Sequence, residues 1–211
     1  MKDSYLAFFD ELDDAFRKQF GTRTLVLNII GYTALALAGL PDRGTKDVDA
    51  LKTEALAEPA MADVLAFLIR EFGKGSPGAL RNGMYLDFVE RQIPWLPPRP
   101  VYGEERKLQR ITFMALHPAD VCVSKTFANF KGKHDRGNDR RDVLDALDKG
   151  IVAVADYIKR MDDTFPHYEA DAAAPETFER VLRFIEREVL PIYGDEKLKL
   201  TYELPNWMIN Y

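Results

Sequence analysis

The chain has 211 residues, of which 46% are hydrophobic and 30% are charged, and its formal net charge at pH 7 is −5. These values are typical of one soluble α/β domain with additional helices, and the acidic charge argues against a protein whose whole surface binds nucleic acid. No apolar run reaches the roughly 18 residues that span a bilayer, the N-terminus does not look like a signal peptide, and the single cysteine, Cys122, cannot form an intrachain disulfide. We therefore expect a cytoplasmic protein with no membrane partner.

In the first half of the chain, hydrophobic periodicity and turn residues predict alternating helices and strands. The predicted helices are 4–19, 33–40 and 59–72, and the predicted strands are 25–30, 46–51, 84–89 and 110–116. We expect turns or loops at 41–44 and 73–78, and a proline-rich connector at 93–103.

From residue 118 onward the pattern predicts only helices, at 118–130, 139–148, 151–161 and 177–190, with a polar loop at 132–138 and a linker at 163–175. The whole order indicates an α/β (α+β) fold with a small mixed sheet, flanking helices and a C-terminal helical region. We expect an α/β core at 1–116 and the helical region at 117–211.

Three aspartates occur in predicted strands. Asp47 and Asp49 are one residue apart, and residues i and i+2 of a strand point to the same face. Asp87 interrupts an otherwise apolar strand, where a lone buried carboxylate would be costly. If the two strands are neighbours, the three carboxylates converge and can bind one or two Mg²⁺ ions, which prefer oxygen ligands and substrate phosphates. Asp-x-Asp is also frequent on surface turns, which is the alternative explanation.

Two further segments are candidates for phosphate binding. Gly31 follows the first predicted strand and precedes a short Ala/Leu-rich helix. Such a turn leaves backbone N–H groups free for a phosphate, and the Thr33 hydroxyl can add a donor. Residues 125–141 contain six basic and two acidic residues. They fit a phosphate-binding patch, although a solvated surface loop explains the same charge pattern.

Together these residues form an ordered series of motifs: Gly31, the Ala/Leu-rich segment, Arg43-Gly-Thr45-Lys-Asp47-Val-Asp49, Asp87, the helix with Lys125, and Arg141-Asp142-Val-Leu-Asp145. The series resembles the nucleotidyltransferase superfamily of the DNA polymerase β type. It is most similar to the minimal branch that includes AbiEii-type toxins, and the resemblance covers roughly residues 25–148.

The resemblance implies that Asp47, Asp49 and Asp87 are the catalytic and metal-binding residues, with Asp87 as the base or the ligand of a second Mg²⁺. It also implies a set of nucleotide-binding residues: Gly31, Thr33, Arg43, Thr45, Lys125 and Asp142. In this scheme Lys125 meets the phosphates as a point charge, and Asp142 positions Lys125 or the nucleotide. Arg43 and Thr45 can equally serve to stabilise the turn, and Lys125 can be a solvent-facing helical lysine.

The sequence departs from the pattern of this family in two ways. Tyr32 replaces the second glycine or serine of the first motif, where the backbone normally approaches the triphosphate. Asn138 and Asp139 stand where an arginine usually precedes the helical aspartate.

The leading hypothesis is an Mg²⁺-dependent enzyme that moves a nucleoside monophosphate from a nucleoside triphosphate to an acceptor hydroxyl. In a toxin-like role the acceptor would be tRNA or another RNA, and an antitoxin protein would be a partner; protein and small-molecule acceptors are also open. The alternative is a catalytically degenerate nucleotidyltransferase fold that binds a nucleotide or a protein without turnover.

Overall fold

The computed structural model of the protein describes residues 2–41, 43–90, 96–131, 136–195 and 197–209. The chain divides into two compact units, the first comprising Met1–Ile93 and Tyr102–His117 and the second Pro94–Val101 and Pro118–Tyr211. Part of the expected connector therefore groups with the second unit, although strands of the first unit precede and follow it.

The first unit combines the described strands with five helices. Its helices are α1 Lys2–Phe20, α2 Gly31–Leu37, α3 Glu54–Ala57, α4 Ala62–Phe72 and α5 Pro77–Asn82, with a 3-10 turn at Pro59–Met61. Its strands are β1 Leu25–Ile29, β2 Asp47–Lys52, β3 Tyr85–Glu90, β4 Tyr102–Lys107 and β5 Ile111–Leu116.

These strands form one mixed sheet in the order β3-β2-β1-β5-β4. β1 pairs in parallel with β5 and antiparallel with β2, whereas β2 pairs in parallel with β3 and β4 pairs antiparallel with β5. Because two neighbouring parallel strands need a long connection, the segment with α3, α4 and α5 links β2 to β3. This crossover brings the end strand β3 beside the strand that carries Asp47 and Asp49.

One face of the sheet carries the apolar core of the first unit. Leu27, Val48 and Phe113 are at most 1% exposed on this face, and the ring of Phe9 in α1 stacks on Phe113 with the centroids 4.1 Å apart. Side chains alternate between the two faces along a strand. The two aspartates that flank Val48 therefore point to the opposite face, away from α1.

A buried carboxylate connects α1 to the turn between β4 and β5. Asp13 is 3% exposed and accepts hydrogen bonds of 2.6–3.2 Å from the backbone N–H groups of Gln109, Arg110 and Ile111. Hydrogen bonds to a charged acceptor are stronger than neutral ones, so this contact holds the β4–β5 turn against α1.

The second unit is helical among the described residues. Its elements are α6 Pro118–Lys131, α7 Gly137–Asp148, α8 Val154–Thr164, a 3-10 turn Phe165–Tyr168, α9 Ala174–Phe184, a π-helical stretch Ile185–Val189, α10 Leu190–Tyr193 and α11 Asn206–Ile209. Its core is aromatic, because Phe127 packs edge-on against Phe165 and Phe178 with centroid separations of 5.5 and 5.8 Å.

Several elements differ from the sequence-based expectations, among them the short helices α3, α10 and α11, which no predicted helix covers. β4 was not predicted as a strand, because its sequence Tyr-Gly-Glu-Glu-Arg-Lys lacks alternating apolar residues. It forms nevertheless through backbone hydrogen bonds to β5, the one neighbour that an end strand has. Helix α5 begins inside the expected 73–78 loop, where Ser76 caps the helix and Pro77 occupies its first turn. The expected 163–175 linker contains a 3-10 turn and the start of α9. Asp42, residues 93–95 of the connector and residues 132–135 of the polar loop lie outside the described residues.

The prediction of an α/β fold with a small mixed sheet, flanking helices and a C-terminal helical region is confirmed. In the described part of the chain, no helix combines the length and the apolar character that crossing a membrane requires.

Candidate functional site

Three carboxylates and one phenol share a face of the sheet in the first unit. In the parallel β2–β3 pair, Asp49 is the register partner of Asp87, and Asp47 is the partner of Tyr85. Register partners in neighbouring strands point to the same face, and neighbouring strands are about 4.8 Å apart. These four side chains therefore form a compact square, which we call the acidic patch: Asp47, Asp49, Tyr85 and Asp87.

The electrostatics of Tyr85 supports this arrangement. Burial raises the pKa of the Tyr85 hydroxyl, and the negative charges of Asp47, Asp87 and Asp49 raise that pKa further. One phenol thus experiences all three carboxylates at once. Tyr85 was not among the predicted site residues, although its position two residues before Asp87 places it on the same face.

The three aspartates differ in exposure. Asp47 and Asp49 are half-buried, whereas Asp87 is exposed on β3, which is an end strand among the strands that the structure describes. The expectation of a costly buried carboxylate at Asp87 is therefore wrong. An exposed carboxylate beside two half-buried ones leaves the acidic patch accessible from the edge of the sheet.

Whether the acidic patch can bind Mg²⁺ depends on how many carboxylate ligands one ion needs. Among the described residues, no group of three His, Cys, Asp or Glu side chains is arranged so that it could hold a metal ion. The three carboxylates share one face of the sheet and lie on two strands, and the binding of one or two Mg²⁺ ions by them stays a prediction. Mg²⁺ commonly uses one or two carboxylates and completes its shell with water and substrate phosphates. The register pair Asp49 and Asp87, with Asp47 beside Asp49, fits that mode.

Gly31 lies directly against the acidic patch. Its φ angle is +64°, in the left-handed region that favours glycine, and a Cβ atom at this position would lie 2.1 Å from Asp49 Oδ2. The backbone of the neighbouring Ile30 donates a 2.9 Å hydrogen bond to the Asp49 carbonyl. Glycine at position 31 therefore allows the start of α2 to approach the Asp49 carboxylate closely.

Thr33 supports the strand that carries the acids. Its side chain is fully buried, and its hydroxyl donates a 3.2 Å hydrogen bond to the backbone carbonyl of Asp47. A hydroxyl with no exposed surface and an internal partner is not presented to a ligand. We therefore correct the expected nucleotide contact of Thr33 to a role in positioning β2.

Tyr32 and Arg43 contact each other at the turn before β2. The Tyr32 side chain is 3% exposed and its hydroxyl donates to the carbonyl of Pro41, while the Arg43 guanidinium lies 4.5 Å from the centre of the Tyr32 ring. These contacts direct the tyrosine hydroxyl to the turn and restrain Arg43 by a cation–π interaction. Thr45 is half-buried just before β2.

Lys125 and Asp142 lie together in the second unit. Lys125 Nζ is 2.9 Å from Asp142 Oδ2 and 2.7 Å from Asp139 Oδ1, and all three residues are at most 8% exposed. Arg136 Nε approaches the other oxygen of Asp139 at 3.1 Å. Asp139 thus takes part in a buried ion-pair network that holds α6 against α7.

In the described part of the segment 125–141, the basic side chains form ion pairs or hydrogen bonds within the protein. Beyond the network around Lys125, Arg140 binds Glu188, Arg141 donates to Asn138 at 3.1 Å, and Lys131 lies 4.0 Å from Asp171. Residues 132–135, including Lys133, lie outside the described residues. Internal partners therefore account for much of the charge that suggested a phosphate-binding patch.

Comparisons with protein-family models, with curated proteins and with solved structures give no match for this chain.

Proposed function

We propose that the protein is an Mg²⁺-dependent nucleotidyltransferase that transfers a nucleoside monophosphate from a nucleoside triphosphate to an acceptor hydroxyl. The observation that carries the proposal is the acidic patch, in which Asp49 is paired with Asp87 and Asp47 lies two residues away on the same face. The motif series from Gly31 to Asp49 supports it through the family resemblance, and the close approach of Gly31 to Asp49 gives that motif a physical reason.

Each residue of the site has a distinct role in this reaction. Asp47 and Asp49 would hold Mg²⁺ together with the phosphate oxygens of the substrate, and Asp87 would either hold a second ion or act as the base. Bound Mg²⁺ supplies neutralisation of the phosphate charge and a lower pKa for the attacking hydroxyl. The acceptor oxygen attacks the α-phosphorus, the bond from this phosphorus to the bridging oxygen breaks, and pyrophosphate leaves. With Asp87 as the base, its exposed carboxylate receives the hydroxyl proton.

The acceptor follows from the family resemblance alone. In the toxin-like branch we propose tRNA or another RNA, with an antitoxin protein as a partner. Lys125 is not needed for the chemistry of the acidic patch, because Asp139 and Asp142 already engage its ammonium group.

Label transfer from each α-labelled nucleoside triphosphate to total RNA or lysate, with Mg²⁺ present, tests the proposal. We expect the double variant Asp47→Asn/Asp49→Asn to lower the transfer rate by about a hundredfold or more, since two oxygen ligands lose their charge. Asp3→Asn removes a carboxylate from an exposed position of α1 in the same unit and is the matched control. Wild-type transfer rates in the double variant would refute the proposal.

A second candidate is a nucleotide-binding module without turnover. Two observations favour it: Tyr32 occupies the place of a small residue, and the described acidic residues form no three-ligand metal group. Calorimetry distinguishes the two functions. Mg²⁺-dependent triphosphate binding with no labelled product after long incubation would support the binding module and exclude the transferase.

A further inference from the structure

The connection between α4 and α5 is tightly packed on both sides, at Gly73 after α4 and at Gly78 in the first turn of α5. A Cβ atom at Gly73 would lie 2.4 Å from the carbonyl oxygen of Ile69, and one at Gly78 would lie 2.4 Å from the carbonyl oxygen of Glu71. Ser76 adds a 2.8 Å hydrogen bond from its hydroxyl to the Glu71 carbonyl. Glycine is therefore required at both ends, and the backbone there is fixed against the C-terminal part of α4.

Between these fixed ends the loop presents a single cation. Lys74 and Gly75 are exposed, and Gly75 has a φ angle of +78° with no atom within 4 Å of a Cβ built on it. The Lys74 ammonium nitrogen lies 5.8 Å from the centre of the Tyr85 ring, within the range of a cation–π contact. Tyr85 is the member of the acidic patch that is paired with Asp47, so Lys74 lies at the rim of the patch.

We propose that Lys74 binds the phosphates that leave as pyrophosphate, and that the Tyr85 ring positions the Lys74 ammonium group for this contact. The inference rests on the proposed nucleotidyltransferase function. Three carboxylates and a nucleoside triphosphate together carry more negative charge than two Mg²⁺ ions neutralise, and like charges at close range repel. A lysine on a short fixed loop provides a further positive charge that does not compete with the carboxylates for the metal ions.

If Lys74 has this role, its effect on nucleotide affinity should depend on the number of phosphates in the nucleotide. The α-phosphate lies at the reacting centre over the aspartates in both a monophosphate and a triphosphate. In the proposed arrangement only a triphosphate would reach the rim, where Lys74 lies. The charge of Lys74 should therefore contribute to triphosphate affinity and very little to monophosphate affinity.

The test is calorimetric binding of the α,β-methylene analogues of the four nucleoside triphosphates, and of the matching monophosphates, to the full chain with Mg²⁺. We expect Lys74→Gln to weaken triphosphate binding about tenfold, because one charge contact is lost in a partly screened site, and to leave monophosphate binding unchanged. Lys74→Arg should restore most of the triphosphate affinity. Lys18→Gln, at an exposed position of α1 in the same unit, controls for the change in net charge.

Two variants of Tyr85 test the positioning role. Tyr85→Phe keeps the aromatic ring and should preserve the ratio of triphosphate to monophosphate affinity, whereas Tyr85→Leu should lower this ratio. The inference would be overturned if Lys74→Gln left the ratio of triphosphate to monophosphate affinity unchanged, whether or not both affinities fell. If the wild-type protein transfers nucleotide and Lys74→Gln keeps the wild-type ratio, only this inference fails. If the wild-type protein binds no triphosphate, the proposed function fails as well.

Discussion

The contact between Gly31 and Asp49 can be measured independently of any activity. Gly31→Ala forces an alanine to a φ angle of +64° and places its Cβ atom 2.1 Å from Asp49 Oδ2. The left-handed conformation costs a non-glycine residue about 1–2 kcal/mol. Moving the Asp49 carboxylate away from its preferred rotamer costs about 1 kcal/mol more. We therefore expect Gly31→Ala to lower the free energy of unfolding by about 2–3 kcal/mol.

Gly21 provides the matched control, because its φ angle is +62° and no atom lies within 4 Å of a Cβ built on it. Gly21→Ala should show only the conformational cost of about 1–2 kcal/mol. In an Asp49→Ala background the carboxylate is gone, so the cost of Gly31→Ala should fall to the same value. Urea denaturation of the four proteins of this double-mutant cycle measures a coupling energy that we expect to be about 1 kcal/mol.

Additivity of the two substitutions would refute the close approach of Gly31 to Asp49, and with it the physical reason given for glycine at this position. If the protein is the proposed transferase, Gly31→Ala should also lower its transfer rate far more than Gly21→Ala does, since only the former displaces a carboxylate of the acidic patch.

Two further predictions concern the second unit. Lys125→Met should lower the free energy of unfolding by about 3 kcal/mol or more, because the buried carboxylates of Asp139 and Asp142 then lose the cation between them; a neutral effect in urea denaturation would contradict the ion-pair network. Burial raises the pKa of the Cys122 thiol to about 12, so at pH 8 the native protein should react with a thiol reagent only at the rate at which it unfolds. Rapid labelling of Cys122 in the native protein, compared with its labelling in urea, would contradict that burial.

The apolar periodicity of the chain was sufficient to predict most helices and strands, since each buries one face. Phe9 of α1 and Leu27 of β1 illustrate this, because both are fully buried where their periods place them. β4 escaped prediction because its residues are largely charged and its pairing with β5 depends on backbone groups. A charged strand that is held by backbone pairing has no side-chain pattern from which it can be predicted.

The candidate site was predictable only in part. The spacing of Asp47 and Asp49 placed both on one face, because side chains alternate along any strand. Thr33 was misjudged because a sequence does not reveal whether a hydroxyl faces solvent or, as here, a neighbouring backbone carbonyl.

By itself, the sequence determined the alternation of elements, the shared face of Asp47 and Asp49 and the glycine at the start of α2, because each depends on residues close together in the chain. The tertiary structure alone decided that Asp87 and Tyr85 become the partners of Asp49 and Asp47, and that Lys74 contacts the Tyr85 ring. These contacts depend on the crossover that brings β3 beside β2 in parallel. Which two strands become neighbours depends on contacts between residues far apart in the chain, which local sequence patterns do not specify.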